Sequence, residues 1–188
     1  MYPNPSSYLP LVIGASDGPA LTAAAAASCI PLASRLILPN NYWTVGKKWK
    51  IKAQGRISCA VTTPGTARFD LRTGPAGTII AWDSGAIGLN IVAKANVPWE
   101  LEVDLVCRAV GNAALTTLFG IGRFVSEAVV GSPLPAVGGN GKLMLPVGAP
   151  AVGAGFDNTA ANAVDMFFTQ TLNTGSMTMH NYEILESI

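Results

Sequence analysis

Glu100, Glu102 and Asp104 recur at every second position of the chain, and that spacing bounds what they can do. In an extended strand, alternate side chains leave from one face, about 6.6–7 Å apart. Three carboxylates on such a face are ligands for a calcium ion or members of an acid–base pair. A complementary set lies upstream, where Lys48, Lys50 and Lys52 line one side of another alternating segment. Opposite charges on neighbouring strands contribute roughly 0.2–1 kcal/mol per pair. The expected use of the carboxylates is therefore a solvated, cross-paired charge ladder rather than a metal or catalytic site. Charge reversal at Glu102 separates the readings: a site would lose binding, a ladder only modest stability.

Other chemistry-bearing residues are few. His180 is the chain's one histidine, so a Ser–His or Cys–His nucleophile system must run through it. No serine sits in a GxSxG-type turn, and a satisfied structural histidine is expected. Histidine, cysteine and carboxylate residues are scattered singly, without the clustering that transition-metal sites need. Cys29, Cys59 and Cys107 are odd in number and form no CxxC pair, so buried free thiols in a reducing compartment are expected. A Cys59–Cys107 disulfide requires neighbouring strands in matched register. The run Lys47-Lys48-Trp49-Lys50-Ile51-Lys52 mixes cations with an aromatic, as nucleic-acid-binding surfaces do. In a strand, however, Trp49 leaves from the face opposite Lys48, Lys50 and Lys52 and cannot stack a base beside them. The net charge is +1, and no nucleic-acid partner is expected. Gly120-Ile-Gly122-Arg-Phe-Val125 lacks the third glycine and the βαβ context of a dinucleotide loop. The expectation is a protein that is not an enzyme, with no catalytic, cofactor-binding or metal residues.

The elements that carry these residues are strands. Trp49, Ile51, Ala53, Gly55, Ile57 and Cys59 alternate with Lys48, Lys50, Lys52, Gln54, Arg56 and Ser58. This is the period-two signature of a strand with one face buried, and Gly55 within it suggests a bulge or bend. Val97, Trp99, Leu101, Val103, Leu105 and Cys107 repeat the pattern against Glu100, Glu102 and Asp104. Ala67, Phe69 and Leu71 oppose Arg68, Asp70 and Arg72. Further strands are expected at 78–82, 86–92, about 115–129, 163–171 and 176–185, with Ser34–Leu38 as another candidate. Strands of this length separated by turns such as Thr63-Pro64-Gly65 and Gly74-Pro75-Ala76-Gly77 predict an all-β protein, a two-sheet jelly-roll or β-sandwich of about eight strands.

Charge is distributed unevenly. Only 12% of the residues are charged and 49% are hydrophobic, against about 25% charged in ordinary globular domains, and the mean hydropathy is +0.37. Residues 1–46 carry only Asp17 and Arg35, residues 129–164 only Lys142 and Asp157, whereas 14 of the 23 charges fall between Lys47 and Arg108. The first tract holds six prolines and predicts an extended N-terminal arm over residues 1–40, ahead of a jelly-roll domain over 41–188. Its alanine run at 23–27 suits a helical turn or an extended segment against a neighbour. Residues 131–159, with Pro133, Pro135, Pro146, Pro150 and seven glycines, predict a long loop whose low charge points to docking rather than disorder. Apolar stretches are broken well before ~18 residues and no basic n-region opens the chain, so neither a membrane span nor a secretory signal is expected. Uncharged surface of this extent reads as surface covered by other protein.

Six segments, Trp43-Thr-Val-Gly46, Gly55-Arg-Ile-Ser58, Val61-Thr-Thr-Pro-Gly65, Pro98-Trp-Glu-Leu101, Cys107-Arg-Ala-Val-Gly111 and Gly155-Phe-Asp-Asn158, taken in order and spacing across residues 43–170, resemble a group of tailed-bacteriophage virion proteins, the capsid cement (decoration) proteins of the jelly-roll type. The resemblance implies a homotrimer seated where major capsid proteins meet around local three-fold positions, on the outer surface of the virion's capsid and assembled in the host cytoplasm. It supplies no catalytic residues. Within that frame the arm is expected to reach the shell or a neighbouring trimer, and removal of residues 1–30 to leave a folded oligomer with weakened attachment. The alternative is a jelly-roll tail or fibre module recognising host-surface glycans. With Trp49 and Trp99 inward by alternation, Tyr42, Trp43 and Trp82 are the aromatic residues left for that role.

Overall fold

A computed structural model describes residues 7–31, 34–60, 65–129 and 141–187. Its regular elements are strands: β1 (Tyr8–Gly14), β2 (Ala26–Ser28), β3 (Leu36–Leu38), β4 (Lys48–Cys59), β5 (Thr66–Thr73), β6 (Ile79–Asp83), β7 (Ile87–Gly88), β8 (Lys94–Ala109), β9 (Thr117–Ser126), β10 (Lys142–Leu145), β11 (Asn162–Gln170) and β12 (Ser176–Ser187). Alternation drives the long ones. In β4, Trp49, Ile51, Ala53, Ile57 and Cys59 are buried while Lys48, Lys52, Gln54 and Arg56 are exposed. Thus one face of each strand enters the core and the other stays solvated. The expected strand at 86–92 is shorter, reduced to β7 and an isolated bridge from Leu89 to Val129.

One sheet runs β1-β12-β4-β8-β9-β10 and the other β2-β11-β5-β6, with β3 added to β11 and β7 to β5. Eight of these strands, β1, β2, β4, β5, β6, β8, β11 and β12, pair in nested fashion. In chain order the first pairs with the last, the second with the seventh, the third with the sixth and the fourth with the fifth, all antiparallel. Nested pairing rolled into two facing sheets is the jelly roll, so the expected fold class holds. Strands β9 and β10 extend the larger sheet as a meander.

Two expectations need correction. The arm expected over residues 1–40 is, in its described part, built into the sandwich. Strands β1 and β2 are two of the eight jelly-roll strands, and Cys29 and Ile30 are core residues at 0% and 2% exposure. Pro10 lies in the edge strand β1, where an edge has no partner waiting for the missing N–H, at a register shift against β12, and Pro19, Pro31 and Pro39 lie in the connections between strands. Even the tract's two charges hold it down, with Asp17 Oδ1 2.7 Å from His180 Nδ1 and Arg35 Nε 2.8 Å from Asp165 Oδ2. Residues 1–6 lie outside the described residues.

The second correction concerns the loop expected over 131–159. Residues 131–140, including Pro133 and Pro135, lie outside the described residues, as do 61–64 of the Thr63-Pro64-Gly65 turn. Residues 141–159 contain β10 and then close one side of the sandwich against their own chain. Val147 N–H donates to Ser84 O at 2.7 Å, Ala154 N–H to Ile80 O at 2.9 Å and Gly153 N–H to Leu118 O at 3.0 Å. The segment thereby ties β6 of one sheet to β9 of the other. Gly153 and Gly155 permit it, since a Cβ at either would collide with the backbone oxygen of Ala81 or Ala114. Low charge here reflects a segment with one side sealed against apolar core, where Phe156 is fully buried.

Between the sheets, Phe69 packs at 5.2 Å from Trp99, 5.4 Å from Phe124 and 5.3 Å from Phe168. A second aromatic group, Trp43 on Trp49 at 4.4 Å, fills the end nearest the β8–β9 turn.

Candidate interaction surface

The outer face of the larger sheet carries the carboxylates with which the sequence reading begins. Register places Glu183 opposite Lys52, Lys52 opposite Glu102 and Glu102 opposite Arg123, a row of alternating sign across four strands. Lys50 Nζ lies 2.9 Å from Glu102 and 3.6 Å from Asp104; Arg123 Nη2 lies 2.8 Å from Glu102 and 3.6 Å from Glu100. Gln54 Nε2 donates to Glu100 at 3.4 Å. The three carboxylates thus form the expected ladder. Among the described residues, no group of three or more His, Cys, Asp or Glu side chains is placed to hold a metal ion.

The ladder sets a pH window. The hydrogen bond from Lys50 holds the Glu102 carboxyl below its ordinary range, and the same bond holds Lys50 above its own. A depressed carboxylate stabilises the fold above its unfolded value, roughly pH 4.3, and that contribution fades as pH falls through the lower folded value. A raised lysine contributes below roughly pH 10.4 and is lost as pH rises through its folded value. Glu102→Gln is expected to cost no more than about 1 kcal/mol at neutral pH. Thermal melts of variant and wild type should converge as the pH is taken below roughly 4.

The smaller sheet has its own ion network. Arg68 lies 2.6 Å from Asp70 and 2.7 Å from Asp83, and Arg72 lies 3.1 Å from Asp70. Arg72 also stacks 3.9 Å over the Phe167 ring. Asp165 accepts from Ser28 Oγ at 2.7 Å beside Arg35; burial nevertheless pushes its carboxyl above the ordinary range. These arginines lie along the sheet and cover carboxylates that would otherwise be exposed.

The remaining sequence candidates are accounted for by packing. Burial raises all three thiols above their ordinary value, which suppresses the reactive thiolate. Strands β4 and β8 are neighbours, but Cys59 lies opposite Lys94 and Cys107 opposite Leu118, near opposite ends of β8. A disulfide between them is ruled out by register, and all three cysteines are free. Trp49, at 1% exposure, is inward as expected.

The aromatic candidates for glycan contact are not a platform. Trp43 and Trp82 are 3% and 2% exposed. Trp82 fills the space that a side chain at Gly120 would occupy and donates its Nε1–H to Gly120 O at 3.2 Å. Tyr42 is half-buried: its hydroxyl accepts from Trp49 Nε1 at 2.9 Å and donates to Glu186. Burial, together with that carboxylate, pushes the Tyr42 hydroxyl well above its ordinary range. Lys47 closes the group, 3.0 Å from Glu186 and 3.9 Å above the Tyr42 ring. Inward facing by alternation was readable for Trp49 and Trp99, but Trp43 lies in a loop where no alternation exists.

What remains exposed and apolar lies largely in the ion-poor tracts and at one end of the sandwich: Leu9, Ile13 and Ile37 in the first, Met144 and Val152 in the second, and Val45, Val110 and Leu115 at the end formed by the β3–β4 and β8–β9 connections. No helix among the described residues is long and apolar enough to cross a membrane. Fold and surface together define a jelly-roll module with paired ions on its sheet faces and apolar side chains at its edges. No family model matches the chain, and no curated protein matches it. Among solved structures it is similar to the CBM2 module of the evolved Dit of Lactobacillus casei BL23 phage J-1, at 6% identity over 82% of this chain and 69% of that one, with a TM-score of 0.29.

Proposed function

We propose that this chain is a non-enzymatic structural protein of a tailed-phage virion, a capsid decoration subunit that assembles as a homotrimer and bridges major capsid proteins on the outside of the head. The observation that carries the reading is the placement of exposed apolar side chains. Ile13, Ile37, Val45, Leu115 and Met144 are each more than 60% exposed, and they lie on edges and ends of the sandwich. Ile13 on β1 and Met144 on β10 stand at opposite edges of the larger sheet, so apolar side chains are offered to other protein on more than one side, and permanent interfaces are more apolar than general surface. The sequence resemblance to jelly-roll cement proteins supports the same reading. Glycan recognition is the weaker reading, since Trp43 and Trp82 are spent on the core.

The test is the mass of the purified protein in solution, followed by sedimentation with empty capsids. A trimer that pellets with shells is expected. A well-behaved monomer that stays in the supernatant would overturn the proposal.

A further inference from the structure

Beside the β8–β9 turn, the outer face of the larger sheet holds a trough of about 430 Å³ that the charge ladder does not fill. Tyr8 lies opposite Ser187, Lys48 opposite Val106, and Val106 opposite Phe119, so neighbouring strands deliver these side chains to one end of the face. Together with Ile121 they line the trough. Two features distinguish it from solvated sheet surface. First, outward positions on an exposed face are ordinarily polar, yet Tyr8, Val106, Phe119 and Ile121 are apolar and adjacent.

Second, its positive charge is only partly paired: of the two lysines that line it, Lys50 is held by Glu102 and Asp104, whereas the Lys48 side chain has no carboxylate. The Lys48 side chain is exposed and makes no ion pair or hydrogen bond among the described residues, and Arg108, which flanks the trough, rests on the ring of its lining residue Phe119, 3.7 Å from the centroid. Asp104, the one carboxylate lining the trough, is 3.6 Å from Lys50. Lys50, at the ladder side of the trough, and Arg123 beyond it are both occupied by Glu102. The trough therefore sets an apolar floor beside one unpaired lysine, Lys48, with the Arg108 guanidinium at its flank.

We propose that this trough docks an extended segment of a shell protein in which a carboxylate side chain neighbours apolar ones; the inference rests on the function proposed above. Apolar side chains of the segment would cover Val106, Phe119 and Ile121, while its carboxylate would pair with Lys48 and Arg108. Such a pair is charge-assisted and strengthened as the floor is dried. Complementarity of this type sets register and partner choice as much as affinity. A nucleic acid fits less well, because the Phe119 ring is already capped by Arg108 and the Tyr8 ring faces Lys50, leaving the aliphatic Val106 and Ile121 where a base would need stacking surface.

The experiment is co-sedimentation of the full-length protein with empty capsids at graded salt. The variants are Ile121→Asn, the double variant Lys48→Glu/Arg108→Glu, and a control, Arg56→Glu, on the strand of Lys48 but outside the trough and the ladder. All four residues are exposed, so solution mass and melting temperature should match the wild type. The two trough variants are expected to lose shell affinity by about tenfold or more, and the control to stay within about twofold. Wild-type protein that fails to pellet with shells overturns both this inference and the function beneath it. Wild-type binding with undiminished binding by the trough variants overturns the trough alone, as does an equal loss in the control. Loss of duplex DNA binding in the trough variants, with shell binding intact, would replace the protein partner with a nucleic acid.

Discussion

Removal of residues 1–30 is expected to abolish folding rather than to release a dispensable arm. The deletion takes away β1 and β2, the partners of β12 and β11 at the outer edge of each sheet. It also removes Cys29 and Ile30 from the core, and Leu11, Val12 and Leu21 from its margin. Full burial of a side chain the size of Ile30 is worth about 1.5–3 kcal/mol by itself. Backbone bonds are lost as well: Gly18 N–H to Met179 O at 2.8 Å, a reciprocal pair between Leu21 and Met177 at 2.8 and 2.9 Å, and Cys29 N–H to Met166 O at 2.9 Å. Stripping these contacts bares the apolar side chains beneath them and approaches the whole stability of a domain, roughly 5–15 kcal/mol. Soluble yield and a thermal melt followed by circular dichroism are the measurements. A truncated protein that is soluble and melts cooperatively near the wild-type temperature would show that the sandwich stands without its first two strands. In the intact protein, the amides of Leu21 and Cys29 should be protected from hydrogen exchange even in the free subunit, before any partner is added.

Phe69→Ala is expected to give the largest loss of stability for a single side chain. Phe69 has no exposed surface and joins four strands: its own β5 and Phe168 of β11 in the smaller sheet, Trp99 of β8 and Phe124 of β9 in the larger. Truncating a buried phenylalanine costs about 3–5 kcal/mol, because the transfer energy is lost and the cavity collapses only in part. Rings at these separations contribute a further ~0.5–1.5 kcal/mol per pair beyond their area. For a chain of this length the melting temperature should fall by about 2–4 °C for each kcal/mol, readable by calorimetry. Phe69→Leu should retain most of the stability. An alanine variant that melts within a few degrees of wild type would mean that the sheets are held together elsewhere, at the Trp43–Trp49 end.

The assembly reading and the fold account for the same composition in different ways. The ion-poor tracts are partly covered by their own chain: 7–31 by β12 and β11, and 147–156 by β6 and β9. Their uncharged character is therefore needed in the free subunit, and only their outward side chains remain for partners. Burying such a side on assembly avoids the desolvation of ions. The paired ladders on the sheet faces keep those faces soluble.

The long alternating segments were legible from the chain alone. In β4 and β8 the period of two states which side chains enter the core, and it places Trp49, Trp99 and the burial of Cys59 and Cys107 correctly. It also puts the lysines and carboxylates on solvated faces, where their cross-strand pairing follows. Alternation is a local record of which side is dry, and it requires a strand long enough to repeat. Strands β2, β3 and β10 span only three or four residues, and β1 is an edge strand that is mostly exposed. Such segments are extended because a distant partner offers a ladder of hydrogen bonds, not because of their own pattern. Tyr8 meets Ser187 and Phe167 meets Ser28, separations that no window of sequence spans. Register likewise decides that Cys59 and Cys107 stay apart, and packing around Gly120 and Phe156 decides that Trp82 and Trp43 are inside. Facing is written along each strand, whereas partnership is settled only when the two sheets close on each other.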